Sequence, residues 1–177
     1  MAIGLLAVDR DTGVLQRRQN GRQRRHPVHR IQADAGGLAA IAGSGNIDAH
    51  IDDQAPGATI YADAKQLKQA CLNLILNAID AMPEGGRLTL GIRSVGDNTV
   101  ITIADTGQGI APEMIERIFT PFVTTKASGT GLGLAKVYSI MESHDGSIEC
   151  ASENDAGATF SLYIPAIGED DEDSHDA

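Results

Sequence analysis

Three groups of residues in this 177-residue chain have the types and spacing to do chemistry. Asn73, Asn77 and Asp80 recur at offsets of four and three, which places them on one face if the segment is helical. Amides in an otherwise apolar helix cost about 1–3 kcal/mol each when unsatisfied. They therefore either bond neighbouring backbone or face a polar ligand or hydrated cation. Asp105 ends the run TVITIAD, whose alternation puts it on the same side as Ile101 and Ile103. A carboxylate there needs donors. These can come from the turn it opens, Thr106-Gly107-Gln108-Gly109, or from a ligand. Gly129, Gly131 and Gly133 alternate just before a helical run. A glycine-rich loop opening a helix offers unpaired N–H groups and the positive helix end to an anion. No one of the three is specific alone.

The elements that must position them follow from periodicity. Ala64 to Met82 is the strongest helix, with Leu67, Cys71, Leu74, Ala78 and Met82 in one stripe and Leu72, Leu76 and Ile79 on a second apolar side. Asp63 is placed to cap it, and PEGG stops it. Asn46 to Asp52 alternates as a half-buried strand, and Ala58 to Tyr61 is a candidate partner across the turn at Gln54 to Gly57. Arg87 to Ser94 and Thr99 to Asp105 make a hairpin about Gly96-Asp97-Asn98. A short helix starts at Pro112, another runs from Leu132 to Ser143, and two strands, Ser147 to Ser152 and Ala158 to Ile164, end the fold. Met1 to Gly45 has no sustained period and is broken by glycines, so one short helix within Ile31 to Ile41 is the most it predicts.

Charge is uneven. The net is −10, with 14 Lys and Arg against 24 Asp and Glu. Arginines gather before residue 31, and Glu169, Asp170, Asp171, Glu172, Asp173 and Asp176 crowd the end. Both read as solvated ends, because like-charge runs repel and do not bury. The basic stretch lacks interleaved aromatics, so no nucleic-acid partner is expected. His26 and His29, flanking Pro27, read as surface residues. No apolar run reaches the ~20 residues that span a membrane, and no zinc-type ligand spacing is present. Cys71 and Cys150 read as reduced and buried, which implies a cytoplasmic setting.

In combination and order, the motifs resemble the ATP-binding catalytic domain of sensor histidine kinases. This belongs to the larger group that includes gyrase, Hsp90 and MutL. The matching blocks are NLILNAIDAM (Asn73 to Met82), DTGQGI (Asp105 to Ile110), FTPFVTTK (Phe119 to Lys126) and GTGLGLA (Gly129 to Ala135), most similar to the nitrogen-regulation type. The resemblance implies a two-layer α/β (α+β) sandwich, the Bergerat fold, with a mixed, mostly antiparallel sheet and helices on one face. It divides the chain into an irregular basic segment 1–45, an ATP-binding domain 46–166 and an acidic disordered tail 167–177.

The resemblance implies ATP and Mg2+ as ligands. Asn77 coordinates the metal, with Asn73 beside it as a second candidate and Asp80 on the same face. Asp105 accepts from the adenine amino group, and Gly107, Gly109 and Ile110 lie against the base. Gly129, Thr130, Gly131, Leu132 and Gly133 meet the phosphates, with Thr125 and Lys126 reaching from the lid. Phe119 and Phe122 anchor that lid. The implied reaction is phosphoryl transfer to a histidine on a dimerisation domain, with a response regulator downstream. No segment here matches the phosphoacceptor motif, and His144 reads as structural, so autophosphorylation by this chain alone is not expected. The alternative is a nucleotide-binding regulatory module that transfers no phosphate.

Overall fold

A 17-residue helix with one apolar face must lie on another layer, and here that layer is a five-stranded sheet. The computed structural model describes residues 6–9, 17–19, 22–24, 28–43, 46–124 and 129–166. The strands are β1 (Leu6–Asp9), β2 (Arg17–Gln19), β3 (Arg22–Arg24), β4 (Val28–Ala33), β5 (Ile47–Asp53), β6 (Thr59–Tyr61), β7 (Gly86–Val95), β8 (Asn98–Asp105), β9 (Ser147–Ser152) and β10 (Ala158–Pro165). The helices are α1 (Ala35–Ala42), α2 (Ala64–Asp80), α3 (Pro112–Ile115) and α4 (Gly133–Ser143).

The main sheet has the order β5-β7-β8-β10-β9, with β5 parallel to β7 and every other pair antiparallel. Along β7, β8 and β10 the side chains alternate, so Leu88, Leu90, Ile92, Ile101, Ile103, Phe160, Leu162 and Ile164 are buried beneath the helices. From α2, Leu67, Cys71, Leu74, Ile75 and Ala78 meet them, and Val137, Ile140 and Met141 come from α4. Each large aliphatic residue removed from water contributes about 1.5–3 kcal/mol. The expected second apolar side of α2 is only partly realised. Ile75 takes the core position, while Leu76 is 47 % exposed.

Two expectations are corrected. β5 and β6 do not pair with each other. The Gln54 amide bonds the Ile92 carbonyl at 2.8 Å, so β5 stays alongside β7, with Ile51 opposite Leu90. β6 pairs instead with β4, His29 opposite Ile60, in a small sheet of order β1-β4-β6. The second correction concerns the first 45 residues, whose described part holds β1 to β4 and α1. The glycines at 36 and 37 do not break α1, because the Asp34 carboxylate caps it by accepting from both of their amides. Ile31 and Leu38 join the core. The acidic run from residue 169 lies outside the described residues.

Candidate functional site

Asp105, the last residue of β8, is only 8 % exposed. Its Oδ1 accepts from the Gly107 amide at 2.8 Å and the Ala158 amide at 3.3 Å. Its Oδ2 has no hydrogen bond within the described residues. Burial raises its pKa above the usual carboxylate value, partly offset by those two N–H donors. The loop after it is tied down on both sides. The Gln108 amide donates to the Ala81 carbonyl at the end of α2, and the Asp155 amide donates to the Gln108 carbonyl. Gly109 has φ +70°, and a Cβ there would run into the Glu153 carbonyl. The close approach that demands glycine at this point is thus to the protein's own β9–β10 turn.

Helix α2 brings Asn77, Asp80 and Ala81 to the same cavity that touches Asp105. Asn73, one turn earlier, does not line it. Its Oδ1 accepts from Gln69 Nε2 at 3.1 Å, and its Nδ2 donates to the Gly133 carbonyl at 3.3 Å, which joins α2 to the start of α4.

The glycine-rich loop supplies Gly129, Thr130, Gly131 and Gly133 to the opposite wall. Leu132, the residue at the N-cap of α4, gives no side-chain cap and is 44 % exposed. Among the described residues no side-chain oxygen caps α4, whose first residues, Gly133 and Leu134, line the cavity. Gly131 has φ +67°, and a Cβ there would overlap the Phe122 backbone, whose amide donates to the Gly131 carbonyl at 3.0 Å. The two expected anchors differ. Phe119 is half-buried and packs on Tyr138 with ring centroids 6.0 Å apart. Phe122 is 77 % exposed and holds the loop through its backbone, at a left-handed φ of 67° that is uncommon for a bulky residue. Thr125 and Lys126 lie outside the described residues.

The cavity measures about 430 Å³. Of the residues expected at the site, Asn77, Asp80, Asp105, Gly109, Ile110, Gly129, Thr130, Gly131 and Gly133 line it, whereas Asn73, Gly107, Phe119, Phe122 and Leu132 do not. Sequence reasoning missed Ala158 and Phe160 on β10 and Met114 and Ile118 beyond the loop. Only strand register could have found the first two, since Phe160 sits opposite Ile103, two residues before Asp105.

Thiol and imidazole chemistry find no support at the site. Burial pushes the Cys71 thiol up to about 12. Burial, with the Asp105 charge nearby, pushes Cys150 to about 11, although Cys150 is only partly buried rather than enclosed as expected. His144 is buried at the end of α4. Its Nε2 accepts from the Asp63 amide at 2.8 Å and its Nδ1 lies 2.7 Å from the Ile140 carbonyl, the pattern of a neutral ring with its proton on Nδ1. It joins α4 to the cap of α2, which agrees with a structural reading. Among the described residues no cluster of three His, Cys, Asp or Glu could hold a metal ion, and no helix is long and apolar enough to cross a membrane.

Residues 62–167 match the family described as histidine kinase-, DNA gyrase B-, and HSP90-like ATPase. The sensor histidine kinase ZraS of Salmonella typhi is 49 % identical over 109 residues, covering 61 % of this chain and 23 % of that protein. The sensor kinase CckA of Brucella abortus is 39 % identical over 150 residues, 75 % of this chain and 16 % of its own length. The chain thus spans about a quarter or less of the curated relatives it matches. Among solved structures, the catalytic domain of histidine kinase ThkA superposes with a TM-score of 0.66 at 31 % identity, covering 72 % of this chain and 84 % of that one. Full-length ShkA in complex with AMPPNP superposes with a TM-score of 0.66 at 32 % identity, covering 73 % of this chain and 27 % of that one.

Proposed function

The chain belongs to the histidine kinase-, DNA gyrase B-, and HSP90-like ATPases, and from that premise we propose that it binds Mg·ATP and presents the γ-phosphoryl group to a histidine of a dimerisation domain, in cis or in trans. The observation that carries this reading is Asp105. It is a buried carboxylate with Oδ1 held by two backbone amides and, among the described residues, no donor to Oδ2, on the wall of a cavity of about 430 Å³. An adenine amino group supplies the missing donor, and a site built to accept a hydrogen bond rejects bases that lack it.

The remaining lining suits the rest of the nucleotide. Ile110, Met114 and Ile118 give apolar surface for a base. The Asn77 amide oxygen is a hard ligand of the kind a magnesium ion accepts while keeping several waters. Gly129, Thr130, Gly131 and the start of α4, where Leu132 supplies no side-chain cap, offer N–H groups to phosphate oxygens. Mg2+, when bound, neutralises charge on the phosphates. The chain's own residues position and stabilise rather than attack. In the transfer, the acceptor imidazole nitrogen forms a bond to the γ-phosphorus, the bond to the β,γ-bridging oxygen breaks, and ADP leaves.

The test is to mix the chain with Mg2+, γ-labelled ATP and a kinase fragment carrying the dimerisation helices. Acid-labile, base-stable label on that fragment is the expected result. ATP binding without label would favour the regulatory-module reading, and no ATP binding would refute both. A downstream response regulator is then the class of partner that accepts the phosphoryl group.

A further inference from the structure

We infer that Ser152, which lies outside the cavity, is a positioning residue for base recognition, acting through the peptide group that holds Asp105; this rests on the nucleotide reading above. Ser152 closes β9, opposite Ala158 on β10. Its hydroxyl makes two hydrogen bonds in different directions. It donates to the Gly157 carbonyl at 2.7 Å and accepts from the Ile110 amide at 2.9 Å.

The Gly157 carbonyl and the Ala158 amide belong to one planar peptide unit. That amide is the one donating to Asp105 Oδ1 at 3.3 Å. Holding the oxygen edge of the plane therefore fixes the direction of its N–H edge. The unit needs such a hold, because Gly157 sits at φ +85° and glycine has wide rotational freedom. The second bond fixes Ile110, a lining residue, relative to the same peptide. One hydroxyl thus sets the spacing between the Asp105 carboxylate and the apolar wall beside it. The Asp155 amide still bonds the Gln108 carbonyl without it, so the turn remains attached when the hydroxyl is removed.

Ser152→Ala in the full chain is expected to retain its melting transition and to bind Mg·ATP about fivefold to tenfold more weakly, the loss expected for about one net hydrogen bond. Its preference for ATP over GTP should narrow. The acid limb of its ATP binding should move to higher pH, since Asp105 loses a donor to its charged form. Ser152→Thr, which keeps the hydroxyl, should bind within twofold of the wild type. If the wild type binds ATP and Ser152→Ala matches it in affinity, base preference and pH profile, this inference fails while the nucleotide reading stands. If the affinity loss merely tracks a loss of folded protein and Ser152→Thr does not restore it, the role is structural and the inference is overturned. A wild type that binds no ATP overturns both.

Discussion

Replacing Asp105 by Asn separates the recognition role of its carboxylate from its structural one. The Asn Oδ1 can keep the amides of Gly107 and Ala158, at 2.8 and 3.3 Å in the wild type. The Nδ2 then stands where Oδ2 was and is a donor. An adenine amino group would meet a donor instead of an acceptor, and the charge assisting that bond is gone. A hydrogen bond to a charged group contributes about 1.5–3 kcal/mol, so ATP affinity should fall about 10- to 150-fold. Stability should move the other way. Burial raises the folded-state pKa of Asp105 above 3.8, so the folded protein holds this proton more tightly than the unfolded chain. The ionised group therefore lowers stability progressively as pH rises from 3.8 through its folded value, and the full cost persists at pH 7. Asp105→Asn removes it, so the variant should melt at or above the wild-type temperature at pH 7 and show no such gain below pH 3.8. Calorimetric titration with Mg·ATP and thermal melts across pH measure both quantities. ATP binding within threefold of wild type would refute the recognition argument, and a lower melting point at pH 7 would refute the account of Asp105 burial.

Three further outcomes are expected. Asn77→Ala should lose the magnesium-dependent part of ATP binding, seen as equal, weak affinity with and without EDTA; retained magnesium enhancement would remove Asn77 as the ligand. Asp63→Ala deletes the oxygen that caps the amides of Lys65 and Gln66 and should cost about 1 kcal/mol in urea unfolding at pH 7. The Asp63 pKa is lowered, first by the Gln66 backbone hydrogen bond. The wild-type advantage should therefore be present above pH 3.8 and vanish as pH falls through the depressed value; an unchanged gap at pH 2 would contradict this. Gly131→Ala forces a left-handed alanine, at about 1 kcal/mol, and drives its methyl into the Phe122 backbone. Hydrogen exchange should show lost protection of the Phe122 amide, which now bonds Gly131, and unaltered protection would argue against that contact.

Local elements, and nine of the twenty residues that line the cavity, were legible in the chain before any folding partner is considered. Helix α2 was legible because its core residues recur at helical spacing, and Asp105 because strand alternation puts it on the core side. Both signals are short-range, since they come from backbone periodicity and need no partner. The sequence could not choose between alternatives settled by distant pairing. β5 lies along β7 rather than β6 because the Gln54 amide bonds Ile92, a residue 38 positions away in number. Gly36 and Gly37 are helix breakers by residue type, and they stay helical because Asp34 Oδ1 accepts from both of their amides. Asn73 and Asn77 were equivalent on a helical wheel. Only the tertiary structure separated them: Asn73 bonds the Gly133 carbonyl and does not line the cavity, whereas Asn77 is one of the lining residues. Ala158 and Phe160 reached the site through the register of β10 on β8, and that register is a property of the assembled sheet rather than of either strand.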